Sequence, residues 1–158
     1  MTPNLPLARL LALLLPAALL AGAWSFQIFD HLPPCEMCHW QRWPLYAAIV
    51  VALLAFATAR QVAPSRALVW LAGLLIVTSG ALGAYHAGVE WHWWKGPSHC
   101  TGSSLAGADP LKALLAARIV QCDVAAWRLF GLSLAGWNAL ISGLGGLAVL
   151  ALAGKAQA

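Results

Sequence analysis

Long apolar stretches separated by short polar ones set the pattern of this chain. Residues 10–29, about 40–59, 67–89 and 129–153 are nearly free of formal charge. Each approaches or exceeds the roughly 18 to 20 residues that a helix needs to cross the hydrocarbon core of a bilayer. None shows the alternation of an outer-membrane barrel strand. The pattern predicts an all-α, polytopic membrane protein: a four-helix transmembrane bundle forming one domain over residues 1–158, with outer loops at about 30–39 and 90–128 and both termini on one side. The first span has an alternative reading as a secretory signal, because Arg9 precedes a Leu-rich run and Ala21-Gly22-Ala23 resembles a cleavage site. The apolar run continues past that site, which favours a span, and either version leaves the segment after residue 29 on the exported side.

Composition agrees with the pattern. With 61% hydrophobic and 9% charged residues among 158, and a mean hydropathy of +0.76, the chain has too little polar surface to cover a water-soluble globule of its size. The net charge of +4 rests on nine Lys and Arg spread singly along the sequence, so no basic face for nucleic acid is built. The charges set orientation instead. Arg9, the connection from Arg60 to Arg66 and Lys155 put four basic residues and no acid on one face, which is expected to be cytoplasmic. The acids Asp30, Glu36, Glu90, Asp109 and Asp123 then lie outside, as do eight of the nine tryptophans, all except Trp70. Those tryptophans form either an outer aromatic belt or the lining of a site for a flat apolar ligand.

Small residues one turn apart mark where spans approach one another, because lipid supplies no hydrophobic drive for helices to associate. Ser79, Gly83 and Ala87, with Gly80, Ala84 and Gly88, make such rows on the third span; Ser142 and Gly146 make a notch on the fourth. In the second outer loop, Asp109-Pro110 is a cap and first-turn pair followed by Leu111, Leu114, Leu115 and Ile119 at helical spacing. This predicts a short helix, either interfacial with its leucines toward lipid or docked on the bundle.

All four cysteines, Cys35, Cys38, Cys100 and Cys122, fall in the two outer loops. An exported location permits disulfides, and four cysteines allow three pairings, of which Cys35 with Cys38 and Cys100 with Cys122 is the simplest. A Cys35–Cys38 bond closes too short a loop to constrain the unfolded chain much, so its value is redox chemistry rather than stapling. Cys38 can sit in the first turn of the second helix, where the macrodipole favours a thiolate. A zinc site is disfavoured because the cysteines are split over two loops without a second CxxC, and no metal is expected.

Arg42 follows Cys38 by four residues, one helical turn deeper. There it can steady the Cys38 thiolate and donate hydrogen bonds to an oxygen of a lipid-soluble electron acceptor; an ordinary interfacial arginine would instead reach headgroups. His86, near the outer end of the third span beside Tyr85 and Glu90, is either a ligand-facing proton donor or a satisfied interfacial histidine. The chain lacks the patterns of a Ser/His/Asp hydrolase, a carboxylate pair or a phosphate-binding glycine loop.

Taken together, four spans, Cys35-Glu36-Met37-Cys38 followed by Gln41-Arg42, and a second exported loop with Cys100 and Cys122 resemble the disulfide bond formation protein B (DsbB) family of bacterial inner-membrane thiol oxidases. The stretch from Gly83 to Trp91 and the segment from Trp127 through Gly131 to Trp137-Asn138 extend the resemblance over nearly the whole chain. It implies a multi-pass inner-membrane enzyme with cytoplasmic termini. In that reading, a Cys100–Cys122 disulfide oxidises a soluble periplasmic dithiol protein of thioredoxin fold (DsbA-like), with Cys100 the sulfur attacked. Cys122 then passes electrons to Cys35 through a transient inter-loop bond, and Cys38 delivers them to a membrane quinone, ubiquinone or menaquinone, with Arg42 and secondarily His86 binding it. Two other readings are a quinone reductase of the vitamin K epoxide reductase type, against which the CxxC at the start of the second span argues, and a non-catalytic scaffold whose disulfides hold the exported loops.

Overall fold

Among the described residues, four helices are long and apolar enough to cross a membrane: α1 (Asn4–Ile28), α2 (Glu36–Ala57), α3 (Val62–Glu90) and α4 (Leu134–Gly154). The structure is a computed structural model that describes residues 4–97, 101–102 and 120–154. The short helix expected near residues 111–119, and Cys100 itself, lie outside the described residues.

All four helix starts differ from the hydropathy reading: α1 and α3 begin six and five residues earlier, at Asn4 and Val62, and the starts of α2 and α4 move for local reasons. α2 begins at Glu36 rather than near 40, because Pro33-Pro34 keep the preceding backbone out of the helical region and Cys35 then adopts an extended N-cap conformation at φ −76°, ψ 171°. The CxxC segment is thereby part of the first helical turn. α4 begins at Leu134 rather than 129. The apolar residues before it form a hairpin, β3 (Arg128–Leu129) against β4 (Leu132–Ser133), with antiparallel pairs Arg128↔Ser133 and Leu129↔Leu132. Its two-residue loop has positive φ at Phe130 (51°) and Gly131 (81°), the backbone of a type I′ turn, which glycine enters without penalty. Ser133 then caps α4, its Oγ accepting the Gly136 N–H at 3.1 Å. A second small ladder pairs β1 (Thr101–Gly102) with β2 (Val120–Gln121) in the register Thr101↔Gln121 and Gly102↔Val120.

Small side chains make the interior of the bundle. Ala8, Ala12, Ala52, Ala55, Val69, Ala72, Val149 and Ala153 form a buried cluster from all four helices. α3 and α4 approach most closely where the small-residue rows meet. A Cβ on Gly80 would stand 2.7 Å from the Gly143 backbone nitrogen, and one on Gly146 would stand 2.9 Å from the nitrogen of Val77. Near the start of α1, buried Arg9 donates to Ser65 Oγ at 2.7 Å and to the Ala59 carbonyl at 3.2 Å, tying α1 to the α2–α3 connection. The cysteines Cys35, Cys38 and Cys122 gather at the opposite end.

Candidate redox site

The start of α2 positions the inner cysteines. Cys35, at the N-cap, accepts the Cys38 N–H on its sulfur at 3.2 Å. Both sulfurs therefore sit at the positive end of the helix macrodipole. Their Sγ atoms are 2.7 Å apart and both are free. Cys35 is buried and Cys38 half-buried, against Met37 and Val89. The adjacent Cys38 sulfur, and after it burial, push the Cys35 thiol well above its usual value of 9.0.

Cys122 is buried in the same cluster and is disulfide-bonded. Its sulfur, that of Cys35 and a ring nitrogen of His86 all lie within 4.8 Å of one another. With Cys122 committed to a disulfide, this group is a thiol beside a disulfide, an arrangement suited to thiol–disulfide exchange, which needs only the approach of one sulfur to another.

The other side of the CxxC faces a cavity between the helices. A cavity of about 520 Å³, lined mainly by apolar side chains of α1, α2 and α4 and by Trp127, reaches Cys38, Gln41 and Arg42. Its size and lining suit an apolar small molecule with few polar anchors. Arg42 is buried: it donates to Gln27 Oε1 at 2.8 Å and to the Ala23 carbonyl at 3.3 Å, and its guanidinium lies 5.6 Å from the Trp24 ring centroid. These contacts tie the guanidinium to the last turns of α1 and leave it at the cavity wall beside Cys38.

His86 occupies a different position. It does not line the cavity with Arg42; it sits behind the CxxC. Its Nε2 is 3.7 Å from Cys35 Sγ and 3.8 Å from Glu90 Oε1, and its Nδ1 is 2.8 Å from Gln41 Nε2. The ring also meets the Cys122 backbone. Gln41 bridges the two sides, lining the cavity while bonding His86, and Asn138 of α4 bonds Gln41 Oε1 at 2.9 Å. Neither amide was singled out for a role of its own by sequence reasoning. The available signal was an Asn in the middle of an apolar span, a position where a polar side chain needs a partner. Of the tryptophans, Trp127 and Trp137 line the cavity, whereas Trp43 and Trp93 are exposed.

Residues 6–153 match the family described as disulfide bond formation protein DsbB. The chain belongs to the DsbB family. Membership makes it a multi-pass membrane protein of disulfide bond formation, consistent with its four spans. Comparison with curated proteins and with solved structures returned no match.

Proposed function

We propose that this protein is a thiol:quinone oxidoreductase of the bacterial inner membrane, which reoxidises a periplasmic DsbA-like dithiol protein of thioredoxin fold and delivers the electrons to ubiquinone or menaquinone. The observation that carries the reading is the two-sidedness of the CxxC. Cys35 abuts the disulfide-bonded Cys122 within 4.8 Å, and Cys38 opens with Arg42 onto an apolar cavity. The placement of the CxxC between Cys122 and the cavity favours electron transfer over a scaffold whose disulfides merely hold loops. The termini are assigned to the cytoplasm and the cysteine loops to the periplasm.

The roles follow the positions. Cys100 pairs with Cys122, a pairing supported by the register Thr101↔Gln121 between their chain neighbours. The soluble dithiol attacks Cys100; Cys122, once released, attacks Cys35 of an oxidised inner pair and frees Cys38 as a thiolate. That thiolate is assisted by the helix N-terminus and by the Arg42 charge one turn away. Cys38 and Arg42, with the apolar walls, would hold a quinone, which when bound supplies a two-electron, two-proton acceptor. The net reaction converts one dithiol and one quinone into one disulfide and one quinol.

The test is reconstitution. Purified protein in lipid, given a reduced DsbA-like protein and quinone, should convert quinone to quinol in proportion to dithiol oxidised, and Cys38→Ser should abolish this. Dithiol oxidation without quinone consumption would refute the acceptor, and no oxidation at all would refute the reading.

A further inference from the structure

A continuous line of hydrogen bonds runs from the middle of α4 to the sulfur of Cys35. Ser142 Oγ donates to Asn138 Oδ1 at 2.8 Å; Asn138 Nδ2 donates to Gln41 Oε1 at 2.9 Å; Gln41 Nε2 is 2.8 Å from His86 Nδ1; and His86 Nε2 is 3.7 Å from Cys35 Sγ. The polarity of such a line is normally ambiguous, because amide oxygen and nitrogen look alike. Two backbone carbonyls remove the ambiguity. The Gln41 atom that faces His86 also faces the Met37 carbonyl at 3.1 Å, and a carbonyl only accepts, so that atom is the NH2 group. The Asn138 atom that faces Gln41 also faces the Ser79 carbonyl at 3.2 Å, so it too is the NH2 group. Ser79 in turn donates its hydroxyl to the Gln41 carbonyl at 2.8 Å, fixing α2 against α3 at this level.

One consequence is forced. His86 Nδ1 faces a donor and must accept, so the neutral ring carries its proton on Nε2. That nitrogen lies 3.7 Å from Cys35 Sγ and 3.8 Å from Glu90 Oε1, and the ring also donates to the Cys122 backbone, so the Cys35 sulfur is one of three acceptors around His86 and gains in the competition as it becomes a thiolate. We infer that Gln41 and Asn138 are positioning residues that lock His86 in the Nε2–H tautomer, so that it donates a hydrogen bond to Cys35 Sγ when negative charge develops there. Cys35 needs such a donor because it is buried, where an uncompensated thiolate is costly.

The inference rests on the proposed electron path only for its kinetic consequence. In that path Cys35 is a leaving group. When the Cys100 thiolate attacks Cys122 Sγ of an inter-loop disulfide, the Cys100–Cys122 bond forms and the Cys35–Cys122 bond breaks. Cys100 is oxidised, Cys35 is reduced, and the electron pair stays on Cys35 Sγ, where the His86 N–H meets it.

The primary test reads the wild-type protein. Nitrogen-15 NMR of histidine-labelled protein in detergent, with the inner pair reduced and His86 assigned by its loss in His86→Gln, should show Nε2 protonated and Nδ1 bare. A proton on Nδ1, or averaging between tautomers like that of an exposed histidine, overturns the inference. Gln41→Met, which keeps length and removes the donor, should let the tautomers mix and slow breakdown of the inter-loop disulfide by roughly tenfold, the scale of one hydrogen bond to a charged group, as followed by acid quench and alkylation. Unchanged tautomer and rate in this variant also overturn it. His86→Gln, whose amide can still donate near the Nε2 position, should keep more of that rate than His86→Phe; equal losses contradict a donor role. Failure of the wild-type protein to reduce quinone would sink the functional reading while leaving the tautomer result standing, so the two failures are distinguishable.

Discussion

The sulfurs of Cys35 and Cys122 lie within 4.8 Å of each other, although one caps α2 and the other follows β2, far along the chain. Val89, on the last turn of α3, shares their buried cluster, and the His86 ring one turn earlier meets both the Cys35 sulfur at 3.7 Å and the Cys122 backbone. Two loops separated by a long helical hairpin thus present their cysteines to each other at one end of the bundle.

That proximity makes an inter-loop bond readily accessible. Replacing Cys38 by Ser removes the thiol that would resolve it, so Cys38→Ser protein exposed to mild oxidant should accumulate a Cys35–Cys122 disulfide. Peptide mapping under non-reducing conditions checks this. Recovery of only the bond already held by Cys122, with Cys35 still alkylatable, would show that the two sulfurs do not exchange.

Arg42 is expected to act on the acceptor rather than on the fold. Arg42→Ala removes a charged donor from the cavity wall beside Cys38 and should raise the KM for quinone by roughly tenfold or more, as loss of a hydrogen bond from a charged group does. Arg42→Lys, a point charge without the planar fork, should recover part of the loss. Turnover measured against quinone concentration decides; a dependence identical to wild type removes Arg42 from the acceptor site. The Gln27 and Ala23 contacts also vanish in the alanine variant, so an SDS-unfolding titration should accompany the kinetics.

Much of this arrangement was legible from the residues. The number of spans followed from apolar length alone, and rows of small residues such as Gly80 and Gly146 marked faces of close approach without saying which helix each would meet. The site was legible where chemistry is local: Cys38 and Arg42 share a helix face because they are four residues apart. It was not legible where partners are distant in sequence. Nothing local tells His86 that its Nδ1 will meet Gln41 of another helix, and helical depth alone left it a candidate for the same pocket as Arg42. The hairpin before α4 escaped the hydropathy reading because Leu129, Phe130 and Leu132 are as apolar as a span; the Phe130-Gly131 turn that interrupts them is a backbone property.

The α3–α4 contact can be tested independently of any redox assay. Gly80→Ala puts a methyl group against the Gly143 backbone, which cannot yield as a side chain can. It should destabilise the folded bundle by about 1–3 kcal/mol, the usual cost of overpacking a tight contact. Gly143→Ala is the control: its Cβ would meet nothing within 4 Å, and alanine is the better helix former. SDS titration monitored by circular dichroism should find the first variant clearly weakened and the second unchanged or slightly stabilised; equal effects would mean that the two helices do not approach as described.

The protonation of Cys35 yields a prediction with a definite sign. The adjacent Cys38 sulfur and burial hold its thiol above the 9.0 of an ordinary cysteine, so in the reduced protein Cys35 keeps its proton where an unfolded chain has lost it. Below pH 9 both states are protonated at this site and it adds no pH dependence. Above pH 9 the folded state binds more protons than the unfolded one, so stability should fall as pH rises, by at most about 1.4 kcal/mol per pH unit from this group. Alkylation reads the same property directly. In reduced protein, Cys35 should react with iodoacetamide more slowly than an ordinary exposed thiol at pH 8 and gain reactivity only at more alkaline pH. Cys38→Ala removes the largest of the raising influences while leaving burial, so it should move the reactivity profile of Cys35 back toward pH 9. A Cys35 profile already centred at or below pH 9 in the protein with both cysteines intact would show that neither the neighbouring sulfur nor burial governs its charge.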